Sequence, residues 1–486
     1  MNPADVSLFL HPVRAFVARE PVTAGPRTPV RELARQMAAA GVGSIVIVGE
    51  DGTPAGIVTD RDLRGKVVAE GREPVTTSAA AVMSSPLLTV DAGAYGFEAL
   101  LEMTRRGIHH LAVVDSGRLL GVVSSNDFLR LQTTHPVAVA REIALASSVD
   151  DLARLGARVT ALVRRLVEEG GTPYDVGRIV AELNDRIVQR MLELATGSAA
   201  TLGPPPVPFC WLAFGSEARQ EQTLRTDQDN GLAYADPSPT DAAAVHAYFA
   251  RLADQVNRAL VRIGFPECPA RIMASNPEWC QPVSVWAQRF RHWMQESGPR
   301  EVLQACIFFD LRPVGGDAPL GSSLRTVIQT EAPGSRRLLG LLARDVVDRP
   351  VSLTVFGNIR VARAEPHRDT VDLKGGGGLQ LVGAGRVHAL ALGLEETNTV
   401  DRFRATAARG VYGQDQCREF TDAHQLLQRL RLAHQLARLE RGEPADNRIN
   451  PKRLSHADAL LLRDALRTVG HVQADLRERY ATDLLQ

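Results

Sequence analysis

The sequence predicts a multidomain chain of mixed α/β and α+β class. Two βαββα repeats precede a central core built on a mixed sheet, and a mainly helical region closes the chain. Three observations carry this reading. A unit near the N-terminus recurs at an offset of 65 residues. An apolar run ends in Gly215-Ser216, and a second follows Asp227-Gln228-Asp229. From about residue 320, apolar residues return mostly at three- and four-residue spacing.

The repeats come first. One copy reads Ser44-Ile-Val-Ile-Val, a turn, then Gly56-Ile-Val-Thr59-Asp-Arg-Asp62; the other reads His110-Leu-Ala-Val-Val, a turn, then Gly121-Val-Val-Ser124-Ser-Asn-Asp127. Each strand pair follows a helix, over 29–40 and 93–106. A hydroxyl at a strand end, Thr59 or Ser124, can meet a phosphate. A carboxylate three residues on, Asp62 or Asp127, can accept from a ribose diol or cap the next helix; the two roles are compatible. His109 and His110 are adjacent in a strand and point to opposite faces, so the pair reads as structural rather than metal-binding.

A helical connector over 135–200 follows, broken at Gly170-Gly171-Thr172-Pro173. It serves as a lever or simply packs on the next domain. Gly203-Pro204-Pro205-Pro206 then leads into the strand–turn–strand core, where period-two alternation puts Asp227 and Asp229 on one face. Two carboxylates so close call for a cation between them, and hard cations such as Mg²⁺ or Mn²⁺ prefer oxygen ligands. A strand over 305–311 offers Asp310 as a third carboxylate, or as a salt-bridge partner for Arg312 or another basic residue. Lys374 and the four glycines after it read as a loop more than an anion nest. Long helices are expected over 422–441 and 455–479, the second capped by Ser455.

Bulk properties narrow the function. With 486 residues, about three domains are expected. The boundaries fall at 1–12 (a lead), 13–134 (the repeats, 13–75 and 76–134), 135–200, 201–319 and 320–486. Acidic and basic residues balance at 56 each, with Arg far outnumbering Lys, so nothing draws the chain to nucleic acid or membrane. Five cysteines without a CxxC spacing, no signal-peptide pattern and no membrane-length apolar run fit a reducing cytoplasm.

The repeated Gly-hydrophobic-Val-[Thr/Ser]-x-x-Asp ending resembles a tandem CBS pair. That implies clefts for AMP, ADP or ATP at Thr59, Asp62, Ser124 and Asp127, and face-to-face homodimers. Gly215-Ser216-x-x-Arg219-x-Glu221, then Thr226-Asp227-x-Asp229, resembles the polymerase-β-like nucleotidyltransferase signature, nearest to the PII-uridylyltransferase branch. In that resemblance Gly215 and Ser216 contact the triphosphate, Asp227 and Asp229 hold the metal, Arg219 meets a phosphate and Glu221 braces the loop. Asp310 stands later in the chain than the family's third acid. The Asp-Leu-Lys-Gly segment and the Leu-Arg-Leu-Ala-His-Gln run are similar to the helical partner domain of such enzymes. The whole resembles bacterial signal-transduction proteins joining a CBS pair to a nucleotidyltransferase. The implied activity is nucleoside monophosphate transfer from an NTP to a hydroxyl of an acceptor protein, with pyrophosphate release. The alternative is a non-catalytic adenine-nucleotide sensor or scaffold.

Overall fold

The computed structural model describes residues 12–17, 20–49, 52–125, 136–197, 202–224, 227–296, 298–354 and 356–484. The chain divides into two compact units, Met1–Arg141 and Glu142–Gln486.

The first unit shows the repeat directly. Strands β1 (Thr23–Ala24), β2 (Ser44–Val48) and β3 (Pro54–Thr59) form one sheet; β4 (Thr89–Asp91), β5 (His110–Asp115) and β6 (Arg118–Ser124) form the other. In both, the outer short strand runs parallel to the middle one and the hairpin partner antiparallel. Helices Val30–Ala40 and Gly96–Arg106 precede the hairpins, as the periodicity predicts. Ile45, Ile47 and Val58 are fully buried against Leu33 and Val67, because apolar residues fill both faces of β2.

The second unit is built on a four-stranded mixed sheet, ordered β10-β7-β8-β9, with β7 (Phe209–Phe214), β8 (Asn230–Tyr234), β9 (Cys280–Pro282) and β10 (Leu311–Gly316). β7 runs antiparallel to β8 and β10, and β9 pairs parallel with β8. Every residue of β7 and β8 is buried, so their apolar runs lack alternation. One continuous apolar core runs from Cys210 through Trp286 and Phe308 to Leu381, Phe403 and Leu476. The regions 201–319 and 320–486 are thus joined by one apolar core.

One expectation changes. Residues 305–311 do not form a strand: helix Pro299–Phe308 takes the apolar run, and β10 begins at Leu311. An apolar run of this length fits a buried helix as well as a strand. From Glu142 onward the connector belongs to the second unit. Within helix Pro173–Thr196, Asn184 bonds Gln222 at 2.9 Å, Gln189 donates to the Val314 carbonyl at 2.7 Å, and Tyr174 donates to Asp401 at 2.9 Å. These contacts show the packing that the sequence allowed for the connector.

Candidate functional site

The Gly-Ser turn is held by backbone geometry and sequence together. The chain leaves β7 through Gly215, whose φ is +55°. A Cβ there would also sit 3.0 Å from an Asp229 carboxylate oxygen. Both facts require glycine, and they place the turn directly against Asp229. A short helical turn, Gly215–Ala218, follows.

Asp227 and Asp229 precede β8 rather than lying in it. The alternation still holds, for a reason the sequence does not display. Gln228 and Asn230 turn inward and are buried. Gln228 donates to the Phe265 carbonyl at 3.0 Å, and Asn230 accepts from Asn257 at 3.0 Å and from the Ala274 amide at 2.9 Å. These bonds leave Asp227 exposed and Asp229 half-buried. Burial raises the Asp229 pKa, only partly offset by a hydrogen bond with Cys268 and by the nearby Lys374 ammonium.

Both residues at the turn, Gly215 and Ser216, line a cleft of about 360 Å³ together with Asp229, Arg219 and Glu221. The opposite wall comes from residues the motif does not announce, among them Lys374, Arg386, His424 and Arg431. Lys374 and Arg431 are cations without an ion pair among the described residues. Arg431 donates to the neutral acceptors Asn447 and Gln428 at 2.6 and 3.0 Å. Burial and the Arg219 guanidinium bring its pKa down to about 10. Water reaches the Lys374 side chain, yet the surrounding walls and the guanidiniums of Arg431 and Arg219 lower its pKa too. One signal pointed here: Lys374 is one of three lysines in a chain whose other basic residues are arginines.

The segment after Lys374 is not a loop. Residues Lys374–Gly378 form a helical turn running into helix Leu379–Leu392. Asp372 caps it, accepting from the Lys374 and Gly375 amides at 3.0 Å each. Gly376 has no room for a Cβ, which would lie 2.0 Å from the Ser352 hydroxyl.

Asp310 does not line this cleft. It is fully buried behind the wall, where Arg219 reaches it at 2.6 Å, Arg386 at 2.7 Å and Arg402 at 2.7 Å. Burial opposes ionisation, but Arg386, Arg402 and Arg219 hold its carboxyl far below the usual range. Nor does Asp310 pair with Arg312, whose guanidinium bonds Asp185. Arg219 is spent on Asp310 and on Glu221, the latter at 2.8 Å. Glu221 also accepts from the Thr399 amide, tying the motif to the helix that starts there. On the far side of β8, strand β9 carries Gln281 and no acid. Among the described residues no three His, Cys, Asp or Glu side chains gather into a metal cage.

In the first unit, Thr59 and Asp62 face a cleft of about 520 Å³, also lined by Arg61, Arg64, His109 and His110. His109 and His110 thus reach one cleft despite their alternation. Asp62 forms a capping box with Thr59, accepts from its hydroxyl at 2.7 Å, and pairs with Lys66 at 2.7 Å. Burial is outweighed by Lys66 and Thr59, so its pKa is lowered. Ser124 lines a smaller cleft, about 150 Å³, with Gly43 and His110. Asp127 and Thr226 lie outside the described residues.

Comparison with known proteins finds matches in both units. Residues 13–69 and 79–133 match the CBS domain family model. "Hypoxic response protein 1" of Mycobacterium tuberculosis is 32% identical over 111 residues, 22% of this chain and 78% of that protein. The chain is a CBS-domain protein. Residues 157–300 of this CBS-domain protein match the family described as "Putative nucleotidyltransferase DUF294", and 336–480 match its "Putative nucleotidyltransferase substrate binding domain". The first match begins inside helix Val149–Glu168, in keeping with the packing of the connector. An uncharacterized protein of Methanopyrus kandleri is 39% identical over 115 residues, 24% of this chain and 59% of that protein. The chain spans 19% of a CBS domain-containing protein of Arabidopsis thaliana. A solved CBS domain protein from Pyrobaculum aerophilum, complexed with AMP, is 28% identical and covers 25% of this chain and 98% of its own, at a TM-score of 0.23. Among the described residues no helix is long and apolar enough to cross a membrane.

Proposed function

We propose that the second unit binds a nucleoside triphosphate with a divalent cation in the 360 Å³ cleft and transfers its nucleoside monophosphate to an acceptor hydroxyl on a protein. One observation carries this reading: the Gly215-Ser216 turn and Asp229 line the same cleft as Lys374 and Arg431, two cations without an ion pair among the described residues. Unpaired cations in a recessed site favour a polyanion. Lys374 and Arg431 grip the phosphates, and the Ser216 hydroxyl donates to one of them. The acceptor oxygen attacks the α-phosphorus, forming the new P–O bond as the bond to the pyrophosphate breaks; the acceptor proton leaves to solvent.

The donor set fits a hard divalent ion. The burial of Asp229 is only partly offset by its surroundings, and Asp227 lies two residues before it. Mg²⁺ or Mn²⁺ takes one or two carboxylates and completes its shell with water and phosphate oxygens. When bound, the ion neutralises phosphate charge and polarises the phosphoryl group. Asp310 has a different role, gathering Arg219, Arg386 and Arg402 and so fixing the cleft's rear wall. Arg219 and Glu221 act through that wall rather than by gripping phosphate alone.

The first unit is read as a cytoplasmic sensor of AMP, ADP or ATP, dimerising face to face through its CBS pair. Its larger cleft is the better candidate, since Arg61 and Arg64 join Thr59 and Asp62 there. Regulation requires the effector to bind two states of the protein with different affinity. A second reading, nucleotide binding without turnover, is favoured by the commitment of Asp310 to three arginines and by the acid-free β9. The two separate on one experiment. Purified protein is incubated with α-labelled NTP and candidate acceptors, beside the Asp227→Ala/Asp229→Ala double variant. Label transfer and pyrophosphate release by wild type alone support transfer. Tight nucleotide binding without transfer supports the sensor, and equal transfer by both proteins refutes the assigned site.

A further inference from the structure

Between helix Arg336–Asp348 and the short strand Val371–Asp372 the chain makes an excursion that belongs to neither. Its backbone folds back on itself twice. The Arg360 amide donates to the Ser352 carbonyl at 2.9 Å, and Leu353 pairs antiparallel with Ile359. Farther along, the Ala362 amide donates to the Thr370 carbonyl at 2.8 Å and the Asp369 amide to the Ala362 carbonyl at 2.9 Å. Val351, Leu353 and Ile359 seat this arm on the apolar core of the second unit. It is also fastened to the candidate site, because the Ser352 amide donates at 3.0 Å to the carbonyl of Gly376, in the turn that carries Lys374. Phe356 is 88% exposed, the one exposed aromatic among the described residues. Arg360, Arg363 and Arg368 are exposed too, and none has an ion pair among the described residues. Arg467 brings a fourth exposed guanidinium, 3.4 Å from where a Cβ on Gly357 would stand. Of the two acids in the arm, Asp369 is taken by Lys452 at 3.7 Å, which leaves Glu365. In a chain of zero net charge this is a local excess of cations around an apolar tip.

We propose that this arm is a docking surface for an acidic segment of the acceptor protein. The inference rests on the reading above that the acceptor is a protein. A hydroxyl of a folded partner reaches a phosphate in a cleft only if the partner has a footing nearby, and the bond between Ser352 and the Lys374-bearing turn places the arm to supply one. Like charges held together without counterions repel, and a carboxylate-bearing partner relieves that repulsion. Arginine pairs a carboxylate through two parallel N–H groups, so the arm can fix the register of a segment as well as attract it. Protein interfaces are enriched in arginine and aromatic side chains, and a few such anchors carry most of their binding energy. Phe356 fits the apolar anchor, and the arginines around it fit the ionic contacts. Single-stranded nucleic acid would instead use several stacking faces along a basic groove, and one exposed ring does not make such a track.

The test uses the purified full chain and fluorescence anisotropy. The probe is a fluorescein-labelled peptide of Asp, Glu, Leu and Ser. Beside it run the same peptide with Asn and Gln for its acids, a labelled uridine oligonucleotide, and phosphatidylglycerol vesicles. The acidic peptide should bind at least about tenfold tighter than its amide form, and added salt should weaken it. Arg360→Gln/Arg363→Gln/Arg368→Gln should lower its affinity at least about tenfold. A charge-matched triple at Arg154, Arg251 and Arg258, exposed elsewhere on the unit, should stay within about twofold of wild type. Phe356→Ser should weaken binding about fivefold while leaving the salt dependence unchanged. All these side chains are exposed, and an unchanged apo Tm confirms that each variant folds. No preference for the acidic peptide, or an arm triple that binds it as tightly as the control triple, overturns the proposal. So does tighter binding of the oligonucleotide or the vesicles that the arm triple abolishes, or self-association that Phe356→Ser disperses. Tripolyphosphate, titrated in parallel, reports the cleft alone. If it binds while the peptide result fails, the docking arm falls and the phosphate site stands; if neither binds, both fall.

Discussion

Replacing Lys374 with Met tests the assignment of the phosphate-binding cations most directly. Methionine keeps the length and most of the packing of the lysine stem while deleting its charge. In the wild type the ammonium has no ion-pair partner among the described residues and lies near Asp229, Arg219 and Arg431. A charge-assisted contact to phosphate contributes about 1.5–3 kcal/mol. Water reaches the Lys374 side chain, so the lower part of that range applies, about 2 kcal/mol, or roughly thirtyfold in Kd. Arg431 remains to hold the phosphates, so binding weakens without vanishing. The fold should not suffer, because the deleted charge neutralises no carboxylate by direct contact and sits beside two other cations; the apo Tm of the variant should equal or exceed that of the wild type. Calorimetric titration with Mg²⁺ and tripolyphosphate reads the first quantity, and thermal unfolding without ligand reads the second. A Kd within twofold of wild type would show that Lys374 does not grip phosphate. A lower apo Tm would show that its role is structural, and the anion site would have to be sought elsewhere.

Other outcomes follow from the same geometry. Asp310→Asn leaves three buried guanidiniums facing a neutral amide and should destabilise the second unit by about 3–5 kcal/mol, read as a shifted denaturant midpoint. Glu217 has its pKa pushed up to about 8 by burial and by Asp185. The folded state then holds a proton that the unfolded state has released, so stability present below pH 5 declines as pH rises toward 8. Glu217→Gln should flatten that slope, checked by urea titrations across this window. Gly376→Ala forces a methyl into the Ser352 hydroxyl and should cost about 1–3 kcal/mol, with weaker nucleotide binding as the turn carrying Lys374 shifts. Asp62→Ala removes the capping partner of Thr59 and the counterion of Lys66, costing about 1–2 kcal/mol. It should also abolish the thermal shift given by AMP, about 2.7 kcal/mol at a hundredfold excess over Kd.

What the sequence made legible was local. The strands and helices of the 65-residue repeat and the Gly-Ser turn are set by neighbours a few positions apart and appear where period and turn chemistry put them, whereas Asp227 and Asp229 fall just before β8. What it hid was everything decided by long-range pairing. Asp310 follows an apolar run whose length suits helix and strand equally, and its environment is set by Arg386 and Arg402 from two later helices. No window around residue 310 contains those arginines. The same holds for the cleft, since Lys374 and Arg431 stand far along the chain from Ser216 yet line the same cleft. This separation explains why the motif alone overstates the catalyst. An Asp after an apolar run looks like a third metal ligand until its three guanidiniums are counted. A carboxylate held so far below the usual range has its charge already spent, and a divalent ion would have to displace buried arginines to reach it. On the proposed reading, a metal would be seated by Asp229, which lines the cleft, with Asp227 two residues before it and the nucleotide's own phosphates. With so few protein ligands, its binding would depend on the nucleotide.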